Sequence, residues 1–273
     1  MALSDISLTA GMRSNLLQLQ NTASQVSTTQ QRLSTGKKVN SALDNPTNFF
    51  ASQAALNRAN DFSSRKDGMG EAIQTVKAAD AGITAITALV TAAKGLSEAA
   101  LGTTSTTDRA SFASQYSTLQ DQITQLSQDS GYRGTNLLDN TNNTLTVNFN
   151  ESASSKIVVT GFSGTAAGLG INTVANNWND TANIVTDQTK MDAAITTLRN
   201  QSKSLAGNLN IITTRQNFTD SMINTLQTGS DNLTLADMNQ EGANMLTLNT
   251  RQSLGTTALS LSSQAAQSVL RLF

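Results

Sequence analysis

The side chains that most often carry out acid–base, nucleophilic or metal chemistry are missing from this sequence. Its 273 residues contain no histidine and no cysteine. Thiol chemistry, disulfides, zinc sites built on these ligands and the commonest general base are therefore excluded. The acids beyond residue 200 are spread along predicted helices, which is typical of a solvated face and not of a catalytic carboxylate pair. They are Asp220, Asp231, Asp237 and Glu241.

Two other features have residue types found in ligand sites but lack the required spacing. The glycines Gly161, Gly164, Gly168 and Gly170 do not match G-x-G-x-x-G, and no Gly-Lys-Ser/Thr follows. This pattern predicts a plain loop, not a phosphate site. Trp178 lies in an Asn-rich stretch, where we expect partial burial and no ligand. We predict that the protein is not an enzyme and has no cofactor or metal site.

Composition excludes further classes of function. The net charge is −1, with scattered Lys and Arg, whereas nucleic-acid binding needs clustered positive charge. No run of about 18 apolar residues is present, so we expect no membrane span. The N-terminus lacks a basic stretch followed by an apolar core, so we expect no cleaved secretory signal.

The last stretch of the chain, from about residue 238 to 273, carries two neighbouring lines of apolar residues at helical spacing. At about 100° per residue they cover roughly half of the helix circumference, more than an ordinary surface helix needs. The opposite face is Ser, Thr, Asn and Gln with almost no charge, which suits burial against other helices. The first line is Met238, Met245, Leu248, Leu259, Ala266, Val269 and Phe273, and the second is Leu254, Ala258, Leu261, Ala265 and Leu272.

The N-terminal segment has a 4,3 hydrophobic spacing, which predicts a heptad seam. Its members are Met12, Leu16, Leu19, Ala23, Val26, Gln30 and Leu33. This segment is as poor in charge as the C-terminal one, and we expect the two ends to pack together. Gly36 should end the helix, and Asp44 or Asn45 should cap the next helix ahead of Pro46.

Between the ends, three apolar seams with regularly spaced charges predict the helices of a bundle. The first should end near Leu101, the second should begin after a cap at Asp108, and the third should run from near Asp187 to Gly229. A monomeric bundle core explains these seams without any further partner. The predicted core is Ile73, Val76, Ile83, Tyr116, Leu119, Ile123, Leu126, Ile195, Leu198, Leu205, Leu209 and Ile212.

Residues 136–186 are rich in Asn, Thr, Ser and Gly. Leu145, Val147 and Phe149 alternate with polar residues, and the run 157–159 is apolar, which predicts two short strands. The predicted fold class is therefore mainly α: a long helical coiled coil and bundle with nested N- and C-terminal helices and a small β-containing insert. Isolated terminal helices with so little charge would be sticky or disordered as a monomer, and assembly with other copies resolves this.

Both ends of the chain resemble one family. The segment 31–46, QRLSTGKKVNSALDNP, resembles the end of the first conserved segment of bacterial flagellins. The segment 243–255, ANMLTLNTRQSLG, and the ending 268–273, SVLRLF, resemble the flagellin C-terminus. The resemblance covers about residues 1–140 and 185–273 and leaves out the insert. The chain is therefore similar to a short flagellin with inner and outer tube domains only, without large outer domains.

This resemblance implies a structural subunit of the extracellular flagellar filament, exported unfolded and polymerising head-to-tail into a helical tube for motility. It implies an inner-tube coiled-coil domain at 1–43 with 233–273, and an outer-tube bundle at 44–232 that includes the insert. The implied partners are many copies of the same chain, the hook–filament junction and cap proteins, and an export chaperone on the C-terminal helix. The implied inner-tube packing residues are Met12, Leu16, Leu19, Ala23, Val26, Leu33, Leu248, Leu254, Ala258, Leu259, Leu261, Ala265, Val269, Leu270 and Phe273.

One departure from the family concerns a helix through which an innate immune receptor recognises some flagellins, with the pattern Arg-x-Arg-Glu-Leu. The corresponding segment here is 92–96, AAKGL, in which only Lys94 and Leu96 keep the character of that pattern. The first basic residue and the acid are absent, so we do not expect strong receptor activation.

Three alternatives remain: one nearby, and two from other classes of protein. A hook–filament junction protein shares flagellin-like ends, but the ending SVLRLF argues against it. An enzyme, such as a flagellin with a protease insert, is disfavoured by the missing histidines and the short insert. A non-flagellar secreted adhesin or coiled coil would be separated from a flagellin by electron microscopy of the self-assembled protein.

Overall fold

A computed structural model describes residues 10–270 of the chain, with side-chain burial for residues 10–268. The described part is mainly α-helical with one small sheet, which confirms the predicted fold class. It contains α1 (Ala10–Thr35), α2 (Pro46–Leu101), α3 (Thr106–Asp129), β1 (Thr144–Asn148), β2 (Lys156–Thr160), α4 (Thr181–Thr234) and α5 (Met238–Leu270).

The chain divides into two compact units. Unit 1 comprises Met1–Asn57 with Leu226–Phe273, and unit 2 comprises Arg58–Thr225. Helices α2 and α4 each contribute residues to both units, since the division falls inside them.

Several helix ends follow from local chemistry. Helix α1 ends before Gly36, whose φ of 69° lies in the left-handed region that glycine adopts without penalty. Helix α2 begins at Pro46, and the side chain of Asn45 accepts a hydrogen bond from the backbone N–H of Asn48 at 3.0 Å. The end of α1 and the start of α2 both agree with the sequence prediction.

Three predicted helix boundaries are wrong. The cap of α3 is Ser105, whose hydroxyl accepts from the N–H of Asp108, so Asp108 lies inside the first turn. Helix α4 begins at Thr181, ahead of the predicted start near Asp187, and continues past Gly229 to Thr234. A single glycine costs a helix only about 1 kcal/mol, so it does not by itself end a helix of this length.

In unit 2, α3 and α4 both run antiparallel to α2. The ammonium of Lys66 lies 2.6 Å from Asp220, and that of Lys94 lies 2.6 Å from Asp192, so α4 runs opposite to α2. Helix α3 also runs opposite to α2. Nε of Arg109, in the first turn of α3, donates to the Ala100 carbonyl near the end of α2 at 3.2 Å, whereas a Cβ at Gly82, in the middle of α2, would lie 2.6 Å from a side-chain carbon of Leu138, just after α3. The helices thereby place their apolar seams around one core.

Most of the predicted bundle-core residues lie in this core. Fully or almost fully buried are Val76, Ile83, Tyr116, Ile123, Leu198, Leu205 and Ile212. Partly buried and packed against them are Ile73, Leu119, Leu126, Ile195 and Leu209.

Helix α2 contains an 18-residue window with a mean hydropathy of 1.3, enough by composition for a membrane span. The core helix of a soluble bundle has the same character, and α2 contributes many of the buried core residues.

The insert folds as a hairpin and a compact loop. Strands β1 and β2 are antiparallel, with Leu145 opposite Val159 and Val147 opposite Ile157. Phe149 follows β1 and is 7% exposed. Trp178 is 0% exposed, so the expectation of partial burial is wrong. Its ring stacks on Tyr116 with 5.1 Å between centroids, which fixes the loop on α3.

Candidate interaction surface

Helices α1 and α5 pair in antiparallel orientation within unit 1. One guanidinium nitrogen of Arg32, near the end of α1, donates to Oε1 of Glu241, near the start of α5, at 3.1 Å. Near the middle of both helices, Leu19 lies so close to Gly255 that a Cβ added at Gly255 would be 2.8 Å from Leu19 Cδ1. A glycine at this position therefore allows the two helices to approach closely.

The covered face of each helix follows a heptad. The buried or half-buried positions of α1 are Met12, Asn15, Leu19, Thr22, Val26, Thr29 and Leu33, together with Arg32 beside the last of them. Those of α5 are Glu241, Met245, Leu248, Gln252, Gly255, Leu259, Ser262 and Ala266, together with Ser263 beside Ser262. Spacings of three and four residues keep such positions on one side of a helix, so a single partner helix covers the whole row.

This face differs from the predicted seam at alternate positions. Leu16 and Ala23 point away from α5, and Thr22 and Thr29 take the inner places. The sequence is compatible with both the predicted and the observed heptad, because the two share Met12, Leu19, Val26 and Leu33. Threonine is tolerated inside since its hydroxyl bonds within its own helix, as that of Thr22 does to the Gln18 carbonyl at 2.9 Å.

A second apolar line of α5 is left uncovered in the single chain. Of its members, Leu254 is 65% exposed and Leu261 61%, and Leu246, which precedes the line on α5, is 71% exposed. Ala258 and Ala265 are exposed between and beyond them. Helix α1 likewise exposes 61% of Leu17. Isolated exposed leucines are ordinary, but a continuous line of them along a charge-poor helix marks an interaction surface.

The other predicted packing residues are distributed over both faces. Leu248 is 7% exposed and Met12 is 6% exposed, both on the covered face. Leu19, Val26, Leu33 and Leu259 are half-buried there. The side chains of Val269 and Leu270, and the whole of Phe273, lie outside the described residues.

The junction between the terminal helices and the rest of unit 1 is held by backbone hydrogen bonds. The N–H of Lys38 donates to the Thr234 carbonyl at 2.8 Å, and the N–H of Ala236 donates to the Gly36 carbonyl at 2.9 Å. The carboxylate of Asp44 accepts from the N–H groups of Asn40 and Ser41. These backbone hydrogen bonds hold the pKa of Asp44 below its usual range.

The acids and glycines considered above as possible catalytic or ligand-binding groups have structural roles. Asp220 pairs with Lys66 at 2.6 Å, and Asp237 caps α5 by accepting from the N–H of Asn239 at 2.9 Å. A Cβ at Gly161 would lie within 2.9 Å of three backbone carbonyl oxygens, so this glycine serves a close backbone approach. No group of three acids that could hold a metal ion occurs within residues 10–270.

The two residues of the degenerate receptor pattern are both partly covered. The ammonium of Lys94 lies 2.6 Å from Asp192 of α4, and Leu96 is half-buried against the core of unit 2. Sequence reasoning did not identify the Lys94–Asp192 pair, since the partners lie 98 positions apart.

Comparison with known proteins gives consistent similarities. The family profile for the bacterial flagellin N-terminal helical region matches residues 6–143. Over the full length of both chains, the sequence is 30% identical to flagellin FljO and 31% identical to flagellin FljM of Caulobacter vibrioides. It is 27% identical to a flagellin of Brucella melitensis, over 93% of this chain and 94% of that one. The crystal structure of Bacillus cereus flagellin is similar at 21% identity and a TM-score of 0.48, over 56% of this chain and 88% of that chain.

Proposed function

This chain belongs to the bacterial flagellin family and is a structural subunit of the extracellular flagellar filament, and from that premise we propose that α1 and α5 line the inside of the tube. In this proposal the inner-tube domain is residues 1–43 with 233–273, and the outer-tube domain is 44–232. The division of the chain into unit 1 and unit 2 supports two such bodies, although its boundaries fall at 57/58 and 225/226.

The observation that carries the proposal is the uncovered second apolar line of α5. Leu246, Leu254 and Leu261 are each more than 60% exposed, and the helix around them has few charges to hold it in solution. Covering a leucine contributes about 1.5–3 kcal/mol. Neighbouring copies in a filament provide that cover for every subunit in the same way.

The contact between copies is head-to-tail. An isologous contact closes after two copies, whereas a heterologous one that does not close propagates as a helix. The second line of α5 faces away from α1 of its own chain, so it is free to meet a different surface of the next copy. Polymerisation then adds subunits without consuming the contact sites at the growing tip.

Before assembly the terminal helices are disordered in this proposal. A lone two-helix pair with Thr22, Thr29 and Gln252 inside its seam buries little apolar surface. That burial does not offset the entropy of ordering some sixty residues at about 1–2 kcal/mol each. Folding at the tip, where neighbours add burial, couples order to assembly and keeps the free subunit from premature polymerisation.

The remaining partners follow from the family and the same surface. An export chaperone bound to α5 covers the second apolar line before export through the hollow flagellum. Junction and cap proteins meet the two ends of the polymer. The family is one of structural proteins, and the chain has neither histidine nor cysteine. We therefore assign no catalytic residue and no cofactor.

The experiment that tests the inner-tube proposal is a deletion of residues 254–273. We expect the truncated subunit to form no filaments on wild-type seeds while unit 2 stays folded, as reported by the fluorescence of Trp178, the only tryptophan. The matched control is Thr257→Gln, an exposed polar change on the same helix, which should polymerise normally. Normal filaments from the truncated chain would contradict the proposal.

Copy number separates this function from the hook–filament junction alternative. A filament subunit is present in thousands of copies per cell, whereas a junction protein is present in about a dozen. Quantitative mass spectrometry of sheared flagella measures the ratio directly. The named full-length relatives are described as flagellins, and nothing in the comparisons favours a junction protein.

A further inference from the structure

The outer face of α4 in unit 2 carries an uncharged line of residues that includes two exposed large apolar side chains. Ile211 is 47% exposed and Phe218 is 53% exposed. The line follows alternating spacings of four and three residues, which keep its members on one side of the helix. All of its members are exposed: Ala193, Thr197, Asn200, Ser204, Gly207, Ile211, Thr214, Phe218, Ser221 and Thr225.

Exposed positive charges flank this line. Arg199, Lys203 and Arg215 are all exposed, and none of them forms an ion pair within the described part of the chain. The two acids of the same stretch, Asp192 and Asp220, are already paired with lysines of α2. A partner of this face must therefore cover apolar side chains and supply negative charge.

Helix α3 of unit 2 has the opposite character. Asp108, Asp121 and Asp129 are exposed, and none of them forms an ion pair within residues 10–270. The one base of α3, Arg109, is only 9% exposed and donates to the carbonyls of Ala100 and Thr103. The outer face of α3 is therefore acidic, and between its first two acids the surface consists mostly of Ser, Thr and Ala.

We propose that in the filament the outer face of α4 of one copy packs against the outer face of α3 of the next copy. The inference rests on the head-to-tail polymer of the proposed function, but it does not depend on the assignment of α1 and α5 to the inner tube. It goes further by naming the two surfaces through which unit 2 of one copy meets unit 2 of another.

Charge selects this pairing among the helices of unit 2. Two α4 faces in symmetric contact would bring their cations together, and like charges repel across an interface. Helix α2 exposes both signs of charge within unit 2, whereas α3 exposes acids alone. A contact between two different faces is heterologous, so it propagates from copy to copy. The exposed charged residues of α2 are Arg58, Asp61, Asp67, Glu71, Lys77 and Glu98.

The spacing of the charges also matches. Lys203 and Arg215 lie 12 residues apart and Asp108 and Asp121 lie 13 apart, which correspond to rises of roughly 18 and 20 Å. Since α3 and α4 both run antiparallel to α2, they are parallel to each other, and they stay parallel between copies that point the same way along a filament. Lys203 then pairs with Asp108 while Arg215 pairs with Asp121, and Ile211 lies covered between the two pairs.

The first arm of the test measures critical concentrations for polymerisation of charge-reversed variants. Lys203→Glu with Arg215→Glu places like charges in contact, and we expect the critical concentration to rise about tenfold. Asp108→Lys with Asp121→Lys should raise it to a similar extent. A chain with all four changes exchanges the two charges of each pair, so its value should return to within about threefold of wild type. Thermal unfolding followed by Trp178 fluorescence verifies that unit 2 of each variant is folded.

The matched control for the first arm is Lys77→Glu with Lys156→Glu. Both lysines are exposed and lie outside the two faces, and the net charge changes as much as in the α4 variant. This control should polymerise within about threefold of wild type. At 1 M NaCl, where the Debye length is about 3 Å, the difference between the α4 variant and wild type should shrink. A difference unchanged by salt would overturn the electrostatic pairing.

The second arm uses disulfide trapping, for which a chain without native cysteine is well suited. Chains with Thr214→Cys are mixed with chains with Thr118→Cys, both exposed positions on the two faces. We expect cross-linked dimers after oxidation of filaments and none from free subunits, because a disulfide needs Cα atoms within about 7 Å. Ala88→Cys, on the exposed side of α2, replaces Thr118→Cys in the control and should give no dimer.

Several outcomes would overturn the α3–α4 contact. Reversed variants that polymerise like wild type exclude it. An α4 variant that fails while the α3 variant is normal, or four changes that do not restore polymerisation, would mean that the partner of α4 is not α3. A cross-link from Thr214→Cys to Ala88→Cys instead of Thr118→Cys would exclude it as well. Filaments from the chain lacking residues 254–273 would instead contradict the inner-tube proposal and leave this contact untouched.

Discussion

At the scale of single residues, unit 2 is locked by a buried acid and a stacked aromatic pair. Asp187 is 0% exposed and accepts from Trp178 Nε1 at 2.9 Å, from the Ala175 N–H at 2.8 Å and from Lys190 Nζ at 2.9 Å. Asn176, Asn177 and Trp178 all have positive φ values, an arrangement that costs about 1 kcal/mol or more per residue. The hydrogen bonds to Asp187 and the stacking on Tyr116 hold this left-handed turn in place.

Replacing Asp187 by alanine should therefore destabilise unit 2 strongly. The change leaves the Trp178 and Ala175 N–H groups buried without acceptors, and we expect a loss of about 3 kcal/mol in the free energy of unfolding. Urea unfolding followed by Trp178 fluorescence measures it. Asp192→Ala is the control. Asp192 pairs with Lys94 but its own side chain is exposed, so this substitution should cost less than about 1 kcal/mol of unfolding free energy. Equal effects of the two changes would refute this account.

The pH dependence of unit 2 should follow two glutamates. The hydrogen bond from Arg133 lowers the pKa of Glu71, and the pKa of Glu151 is lowered first by a backbone hydrogen bond and then by Arg58. A carboxyl whose folded pKa is depressed stabilises the fold above its unfolded pKa and loses that contribution as pH falls through the folded pKa. We expect the unfolding free energy to decline below about pH 4.3, and to decline less in a Glu71→Gln, Glu151→Gln variant. Identical pH profiles would contradict the prediction.

Close packing at Gly255 gives a residue-level prediction for the terminal pair. Gly255→Leu places a side chain where Leu19 already lies, 2.8 Å from the position of a Cβ. This forces α1 and α5 apart, and the critical concentration for polymerisation should rise by about tenfold or more. Gly242→Leu on the same helix meets nothing within 4 Å and is the matched control. Sedimentation of filaments against subunit concentration measures both, and equal values would exclude close helix approach in the filament.

At the scale of elements, the hairpin and the loop after it depend on close backbone approach. The N–H of Gly161 donates to the Asn143 carbonyl at 2.7 Å, and the N–H of Gly164 donates to the Leu138 carbonyl at 2.7 Å. A Cβ at Gly161 would meet the carbonyl oxygens of Asn143, Asn140 and Leu137 at 2.8–2.9 Å. Backbone atoms cannot move aside as a flexible side chain can, so the end of β2 requires glycine.

Gly161→Ala should therefore loosen the insert. We expect unit 2 to lose about 2 kcal/mol or more of unfolding free energy, because the backbone at the end of β2 must move away from the three carbonyl oxygens that the new Cβ would contact. Gly95→Ala in α2 is the opposite case: nothing lies within 4 Å of a Cβ there, and alanine favours the helix by about 1 kcal/mol. Thermal unfolding monitored by circular dichroism compares the two variants. A Gly161→Ala protein as stable as Gly95→Ala would show that the insert tolerates the displacement.

At the scale of the whole molecule, the uncovered line of α5 has consequences only in the polymer. Leu254 and Leu261 contribute little to the folding of a single chain, since they are more than 60% exposed. In the proposed inner tube the same side chains lie against other copies, and covering each contributes about 1.5–3 kcal/mol. The inner-tube proposal therefore makes folding of one subunit and growth of the polymer depend on different faces of α5.

A variant with Leu254→Gln and Leu261→Gln should separate these two properties. We expect its unit 2 to unfold at the wild-type temperature, while its critical concentration rises by more than about tenfold. Calorimetry of the subunit and light scattering during seeded growth measure the two quantities. Thr250→Gln and Thr257→Gln, which are exposed polar positions of the same helix, provide the control. If the leucine variant polymerises at the wild-type rate, these leucines do not form part of the contact between copies.

The sequence by itself determined the mainly helical fold, the helix ends at Gly36 and Pro46, the two strands of the insert and the family. Each of these follows from local patterns: hydrophobic period, capping chemistry and motifs at the two ends. Only the tertiary structure decided that Thr22 and Thr29 face inward in place of Leu16 and Ala23, because two heptads share four residues and the partner helix selects one. It also decided the burial of Trp178 and the pairing of Arg32 with Glu241, since both depend on side chains brought together from distant parts of the chain.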